Sequence, residues 1–262
     1  MFGLNDKIPD NEDIKNPPVS EPYAIVNALF NKNREVTINS LSISIIDLIN
    51  KGQIKCDIDL DESYSIGNKL TVDDMEIMKK ITLRIANKGE LKTSETVAIN
   101  LLKNMNKNKK FNLKFMAKQS NNTSIANKFE KDYIEYVNAL KNENEYDSKN
   151  YKDVLKNGKL NNSKEWKNFQ KYLKSKDLCE KYPPKSVEEN SSQIIYAACF
   201  GIEKDALELR ENNSVLTDFI DKDGYKLLNI IFSNSLAHVS KKRKGDGIFY
   251  GVNDKYTIPG GG

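Results

Sequence analysis

The first organised stretch of the chain has apolar residues at helical spacing. Tyr23, Val26 and Leu29 fall on one face of a predicted helix. Apolar residues with the same period predict a second helix over residues 38–51, which Gly52 ends. We therefore expect two short helices at the start of the fold.

The period then changes from helical to alternating. Residues 54–60 alternate between apolar and polar side chains, which predicts a strand with one polar face. Tyr64 and Ile66 are predicted to return as its partner strand. Two helices followed by a hairpin are the outline of a winged helix. A capping-box pattern then predicts a further helix over residues 71–85.

Most of the remaining apolar residues also recur at helical spacing. They predict helices over residues 93–105, 112–116, 129–140, 162–173, 187–199 and 225–239. In the fourth of these helices Trp166, Phe169 and Leu173 share one face, and in the fifth Ser186 and Glu189 form a predicted N-cap. The predicted fold class is therefore mainly α with small β hairpins, in winged-helix-like units plus a C-terminal helical unit.

Breaks in these patterns divide the chain into six predicted parts. Stretches rich in proline or polar residues and without periodicity mark a tether and a linker. The parts are a tether (1–19), a winged-helix-like unit (20–90), a second helical unit whose winged-helix character stays open (91–145), a polar linker (146–160), a helical unit (161–212), and a C-terminal helix with a flexible Gly-rich tail (213–262). The tail is typical of a truncated chain.

Length, hydropathy and charge narrow the class of protein. The chain has 262 residues, of which 38% are hydrophobic and 30% charged, a composition typical of a folded soluble chain. Its longest apolar run, residues 194–202, is under half the roughly 20 residues that a membrane span needs. The net charge of +4 is too small to require nucleic acid as a partner. The three cysteines, Cys56, Cys179 and Cys199, are too far apart for a Cys-x-x-Cys motif and favour a reduced cytosolic compartment.

Candidate catalytic and metal-binding residues are few. His238 is the single histidine, which excludes a multi-histidine metal site, and no Gly-x-Ser-x-Gly motif offers it a nucleophile. Asp57, Asp59 and Asp61 resemble the start of an EF-hand loop, but Glu62 replaces the glycine at which such a loop turns. Phosphate-binding glycine motifs are also missing from the sequence. We expect no catalytic residue, no cofactor and no metal ion.

Two basic clusters are candidate anionic-surface sites. The first contains six lysines and no acidic residue: Lys103, Lys107, Lys109, Lys110, Lys114 and Lys118. Such a cluster can bind phosphates or anionic lipid headgroups, at about 1 kcal/mol per lysine near a membrane surface. The alternative is a solvated helix face in a lysine-rich protein, which we favour. The second cluster, residues 241–244, is juxtamembrane or purely solubilising.

Several motifs resemble a known family. Pro-Tyr-Ala at residues 22–24 and Leu-Ile-Asn-Lys-Gly-Gln-Ile at 48–54 are similar to the opening of the cytosolic region of the YciQ-like predicted membrane proteins, a domain of unknown function. Trp-x-x-Phe-x-x-Tyr-Leu at 166–173 and Tyr-Ala followed by Gly-Ile within 196–202 also agree. The resemblance covers roughly residues 20–212. It implies a cytosolic module that follows membrane helices in a longer protein, and it supplies no catalytic residues.

Three functions therefore compete. The first is a non-enzymatic interaction module on the cytoplasmic side of the cell membrane, part of a longer membrane protein, with an unknown protein partner and an anionic membrane surface as a further candidate. The second is a winged-helix nucleic-acid-binding protein, which is not favoured because the predicted recognition helix has almost no cation before Lys51. The third, a hydrolase or transferase, has only scattered carboxylates in its favour and ranks last.

Overall fold

The fold is built from helices with one small sheet. A computed structural model describes residues 12–18, 21–31, 34–58, 81–86, 89–105, 110–112, 123–146, 163–202, 205–206 and 209. Within these residues the elements are a 3₁₀ helix (Glu12–Lys15), α1 (Tyr23–Phe30), α2 (Ile38–Asn50), β1 (Ile54–Ile58), β2 (Ile81–Ile85), α3 (Thr93–Met105), β3 (Lys110–Asn112), α4 (Thr123–Glu143), α5 (Ser163–Lys174), α6 (Lys176–Lys181) and α7 (Val187–Cys199). The predicted fold class, mainly α with a small β component, is confirmed. None of the described helices is both long and apolar enough to cross a membrane.

The sheet differs from the predicted hairpin. β1 pairs with β2 and β2 with β3, all antiparallel, and Ile54 lies opposite Ile85. The predicted helix over 71–85 is therefore wrong at its end, because residues 81–85 alternate apolar and polar side chains and pair with β1. The predicted helix over 112–116 is wrong at Asn112, which belongs to β3. The predicted partner strand at Tyr64 and Ile66 lies outside the described residues.

α2 is the central helix of the fold. Thr37 caps it, since its side chain accepts from the backbone N–H of Ser40 while the Ser40 hydroxyl accepts from the N–H of Thr37. The helix packs against α1, β1, α3 and α7. Its residues are buried or half-buried on every side, and Asn50 at its end is the one exposed member. A helix enclosed in this way fixes the positions of its neighbours.

A polar contact joins α1, α2 and α7. Asn27 is buried in α1 and its Nδ2 donates to the carbonyl oxygen of Cys199 at 3.1 Å. Its Oδ1 accepts from the Ser40 hydroxyl at 2.7 Å. Both ends of the amide are therefore satisfied inside the core, which fixes how the three helices meet.

The described part of the predicted tether is docked on the C-terminal helices. The 3₁₀ helix packs against α5, and Ile14 and Lys15 are buried. Lys15 Nζ lies 3.1 Å from Glu12 Oε1 and 3.3 Å from Glu189 Oε1. Apolar burial and ion pairs thus hold residues that lack a periodic pattern. One hydrophobic core joins residues of the three predicted folded units, 20–90, 91–145 and 161–212.

The C-terminal described helices follow their sequence patterns. α5 buries Trp166, Phe169 and Leu173 as predicted. α7 begins at the predicted cap, where the Ser186 hydroxyl accepts from the backbone N–H of Glu189 at 3.1 Å. The longer predicted helix over 129–140 lies within α4. The predicted linker is described only at Tyr146, and the predicted C-terminal helix and tail lie outside the described residues.

Candidate functional site

A cleft of about 280 Å³ opens where five helices converge. The start of α1, the last turns of α2, the start of α3, the end of α4 and the middle of α7 all contribute to it. Its lining is polar and aromatic: Glu21, Pro22, Tyr23, Ala24, Ser44, Asp47, Lys51, Lys92, Ser94, Glu95, Leu140, Asn144 and Tyr196. These residues are distant in the chain, so only the packing of the helices brings them together.

An ion triad forms one wall of the cleft. Lys51 Nζ lies 2.7 Å from Asp47 Oδ2 and 2.9 Å from Glu95 Oε1. Asp47 and Lys51 are one helical turn apart at the end of α2, and Glu95 stands in the first turn of α3. The other oxygen of Glu95, Oε2, accepts from the backbone N–H of Lys92 at 2.9 Å. The triad therefore ties α2 to the start of α3.

The two carboxylates of the triad have opposite electrostatic environments. Burial raises the pKa of Asp47 above its ordinary value, and the nearby Glu95 adds to this, although the hydrogen bond from Lys51 opposes it. Burial also acts to raise the pKa of Glu95, but hydrogen bonds from Lys51 and from the Lys92 backbone outweigh it, and the net shift is downward. Hydrogen bonds and nearby cations thus offset the cost of burying the charge less completely at Asp47 than at Glu95.

Two tyrosines also line the cleft. The rings of Tyr23 and Tyr196 meet edge to face with centroids 4.6 Å apart. The Tyr23 hydroxyl donates to Ser192 Oγ at 2.9 Å. Tyr196 is only 4% exposed, and within the described part of the chain its hydroxyl has no hydrogen-bond partner. Burial, first of all, raises the pKa of both phenols, so both are neutral at physiological pH.

Hydrogen bonds between helices hold the rest of the cleft in place. The Tyr136 hydroxyl of α4 donates to the Ser40 carbonyl at 3.2 Å and accepts from Ser44 Oγ at 2.6 Å. At the junction of α3 and α4, the Ser94 hydroxyl and backbone N–H donate to the two oxygens of Glu143, at 2.6 and 3.0 Å. Directional bonds of this kind give the cleft a fixed shape.

A second candidate surface lies at the other end of α1. Phe30 is 38% exposed, and its ring centroid lies 5.6 Å from that of Trp166 and 5.1 Å from that of Phe200. Trp166 is 1% exposed, and none of the described residues forms a hydrogen bond with its Nε1. We call Phe30, Trp166 and Phe200 the aromatic surface. It is an exposed ring supported by a buried aromatic base.

The predicted lysine cluster is only partly described. Lys103 is exposed in the last turn of α3, and Lys110 begins β3, where only its backbone is described. The remaining members lie outside the described residues: Lys107, Lys109, Lys114 and Lys118. The site therefore stays a prediction.

The other sequence candidates have no described site. His238 and residues 241–244 lie outside the described residues, as do Asp59 and Asp61, while Asp57 lies in β1 opposite Thr82. Across the described ranges, no group of three or more His, Cys, Asp or Glu side chains is placed to hold a metal ion.

Sequence reasoning missed the cleft. Asp47 lies in the helix predicted over residues 38–51, and the structure places it in the lining of the cleft with Lys51. The i,i+4 spacing of these two residues indicates an ion pair, and this signal was available. No sequence signal indicates that Glu95 and Tyr196 line the same cleft, because their positions there depend on tertiary contacts.

Comparison with known protein families, curated proteins and solved structures found no match for this chain. Function is therefore argued from the two surfaces themselves.

Proposed function

We propose that this chain is the cytosolic interaction module of a membrane-anchored protein and that it acts through protein contacts. The observation that carries the proposal is the aromatic surface, where Phe30 is exposed beside Phe200 over the buried Trp166. Aromatic anchors on a rigid base contribute much of the binding energy in protein interfaces. The resemblance to the YciQ-like family supports the membrane-anchored part.

The winged-helix alternative is weakened by the burial of α2. A recognition helix must present several side chains to the major groove, but Asn50 is the one exposed residue of α2. Ser42 is fully buried, and Asp47 is bound to Lys51. Docking of this helix on DNA would require the surrounding helices to separate.

A hydrolase with paired carboxylates is also weakened, although Asp47 and Glu95 converge in the cleft. Two-carboxylate mechanisms need both groups free to exchange protons or attack. Both oxygens of Glu95 already accept hydrogen bonds, from Lys51 and from the Lys92 backbone. Within the described residues, of these two carboxylates only Asp47 keeps an oxygen without a donor, and one such group is too few for that chemistry.

A photo-crosslinking experiment tests the proposed interaction surface. A photoreactive amino acid is introduced at Phe30 or, as a matched control, at Ile134, which is 42% exposed on α4. In cells that express the parent protein, we expect one discrete adduct from position 30 and none from position 134. For the partner identified in the adduct, Phe30→Ser should weaken binding at least tenfold, while Ile134→Ser leaves it unchanged.

Three results would overturn this proposal. Equal adducts from positions 30 and 134, or none from position 30, would exclude the aromatic surface as an anchor. Recovery of the parent protein solely in the soluble fraction after cell lysis and ultracentrifugation would exclude the membrane anchor.

A further inference from the structure

We propose that the cleft is a binding site for a small organic ammonium ion, with the Asp47 carboxylate as its counter-ion. The proposal does not depend on the proposed interaction. It is supported by the charges of the triad, an unpaired carboxylate oxygen, an accessible tyrosine hydroxyl and the size of the cleft.

The charges of the lining favour a cation. The Lys51 ammonium contacts both acids of the triad, so it compensates only one of their two charges. An anionic ligand at Lys51 would have to displace one of these acids, whereas a cation can interact with the charge that Lys51 leaves uncompensated.

Asp47 has an oxygen available to such a ligand. Lys51 occupies Oδ2, and within the described residues no donor reaches Oδ1. The carboxylate is half-buried and faces the cleft. An ammonium N–H bonded to a partly buried carboxylate makes a charge-assisted hydrogen bond, which is about twice as strong as a neutral one.

Tyr196 supplies a second, uncharged contact. Its side chain lines the cleft and is almost fully buried, and its hydroxyl has no partner among the described residues. Tyr23, Asp47 and Glu21, which act electrostatically on this phenol, all line the same cleft. The hydroxyl oxygen is accessible from the cleft, where an ammonium N–H would donate a hydrogen bond to it.

The volume restricts the ligand to a small molecule. Pockets for drug-sized ligands have volumes of roughly 300–1,000 Å³, so a cleft of about 280 Å³ suits a somewhat smaller amine. Primary amines fit best, because three N–H groups can bond to Asp47 Oδ1, to the Tyr196 oxygen and to water at once.

Calorimetric titration of the full chain tests the site. The probes are 1,4-diaminobutane, 1,4-butanediol and succinate, which share a four-carbon length but differ in charge. We expect saturable binding of the diamine and none of the diol or the dicarboxylate. Saturable succinate binding, or no saturation by the diamine, would overturn the proposal.

Variants then locate the binding. Asp47→Asn keeps the shape of the side chain and should weaken diamine binding at least tenfold, and Tyr196→Phe, which removes only the hydroxyl, should weaken it severalfold. Asp177→Asn, at an exposed position of α6, is the matched control and should have no effect. Each variant is first shown to unfold cooperatively. Equal binding by Asp47→Asn and Asp177→Asn would indicate adventitious surface association and would contradict the assignment.

Discussion

The two ends of α1 lie in contrasting environments. Phe30 at its C-terminal end packs among uncharged rings, whereas Tyr23 at its N-terminal end lines a cleft that contains ionised groups. Tyr196 belongs to both regions, since its ring contacts Tyr23 on one side and Trp166 and Phe169 on the other. A single short helix thus connects an apolar cluster to a polar cleft.

The two regions are expected to contribute to different properties, the aromatic region to stability and the cleft to selective binding. Ring packing is weakly directional and contributes mainly through burial of apolar area. The contacts of the cleft are directional and largely offset by desolvation. Substitutions in the aromatic region should therefore change the free energy of unfolding, whereas those in the cleft should change its pH dependence and its ligand binding.

The largest expected effect is at Trp166. Trp166→Ala removes a fully buried indole from contact with Phe30, Phe169, Tyr196 and Phe200, and should lower the free energy of unfolding by about 3–5 kcal/mol. Urea unfolding followed by far-UV circular dichroism measures the loss, because the chain has a single tryptophan and its fluorescence would vanish. Phe30→Ala is the control and should lose less than half as much. Equal losses would contradict the claim that the buried Trp166 contributes more to stability than the exposed Phe30.

A smaller loss is expected at the polar joint of α1. Asn27→Ala removes the hydrogen bonds that the Asn27 amide makes with the Cys199 carbonyl and the Ser40 hydroxyl inside the core, and should cost about 1–3 kcal/mol. Thermal or urea unfolding detects it. Asn31→Ala, close by and only half-buried, is the comparison. If both variants were equally stable, the joint would have no role in helix packing.

The cleft predicts two opposite pH dependences, smaller than the losses above because both groups are partly exposed. The folded pKa of Asp47 is raised above its ordinary 3.8, so its contribution to stability is present below that pH and is lost as pH rises through the folded value. The folded pKa of Glu95 is lowered from 4.5, so its contribution is present above 4.5 and is lost as pH falls.

Charge-neutralising variants separate these two contributions. Relative to the wild type, Asp47→Asn should gain stability as pH rises from about 4, whereas Glu95→Gln should lose stability over the rise to about 4.5. Urea midpoints measured from pH 3 to pH 7 test both. Slopes of the same sign would disprove the unequal compensation of the two carboxylates.

The smallest effect is expected far from both regions. Lys176 and Glu180 form an ion pair at 3.7 Å on α6, and their side chains are 73% and 66% exposed. Lys176→Ala should change the free energy of unfolding by at most about 0.5 kcal/mol. The same unfolding assay checks it. A loss above 1 kcal/mol would contradict the expectation that an exposed ion pair contributes little to the stability of this fold.

Local patterns were sufficient to predict most helices and the strand β1, but they did not predict β2 or β3. The shared face of Trp166, Phe169 and Leu173 and the cap at Ser186 were readable from spacing alone, because both depend on residues within one or two turns. The segment 81–85 was predicted as a helix, since Ile81 and nearby apolar residues also fit a helical period. Pairing with β1, some thirty residues away, decided in favour of a strand.

The sequence by itself determined a mainly helical, lysine-rich chain with amphipathic segments, because helix formation and capping are local. Tertiary structure alone decided that α2 is enclosed, that the 3₁₀ helix is docked, and that Asp47, Glu95 and Tyr196 share one cleft. These outcomes depend on contacts between residues far apart in the chain. The same polar residue can face water or a neighbouring helix without any change in its local pattern, so only packing assigns it to a site.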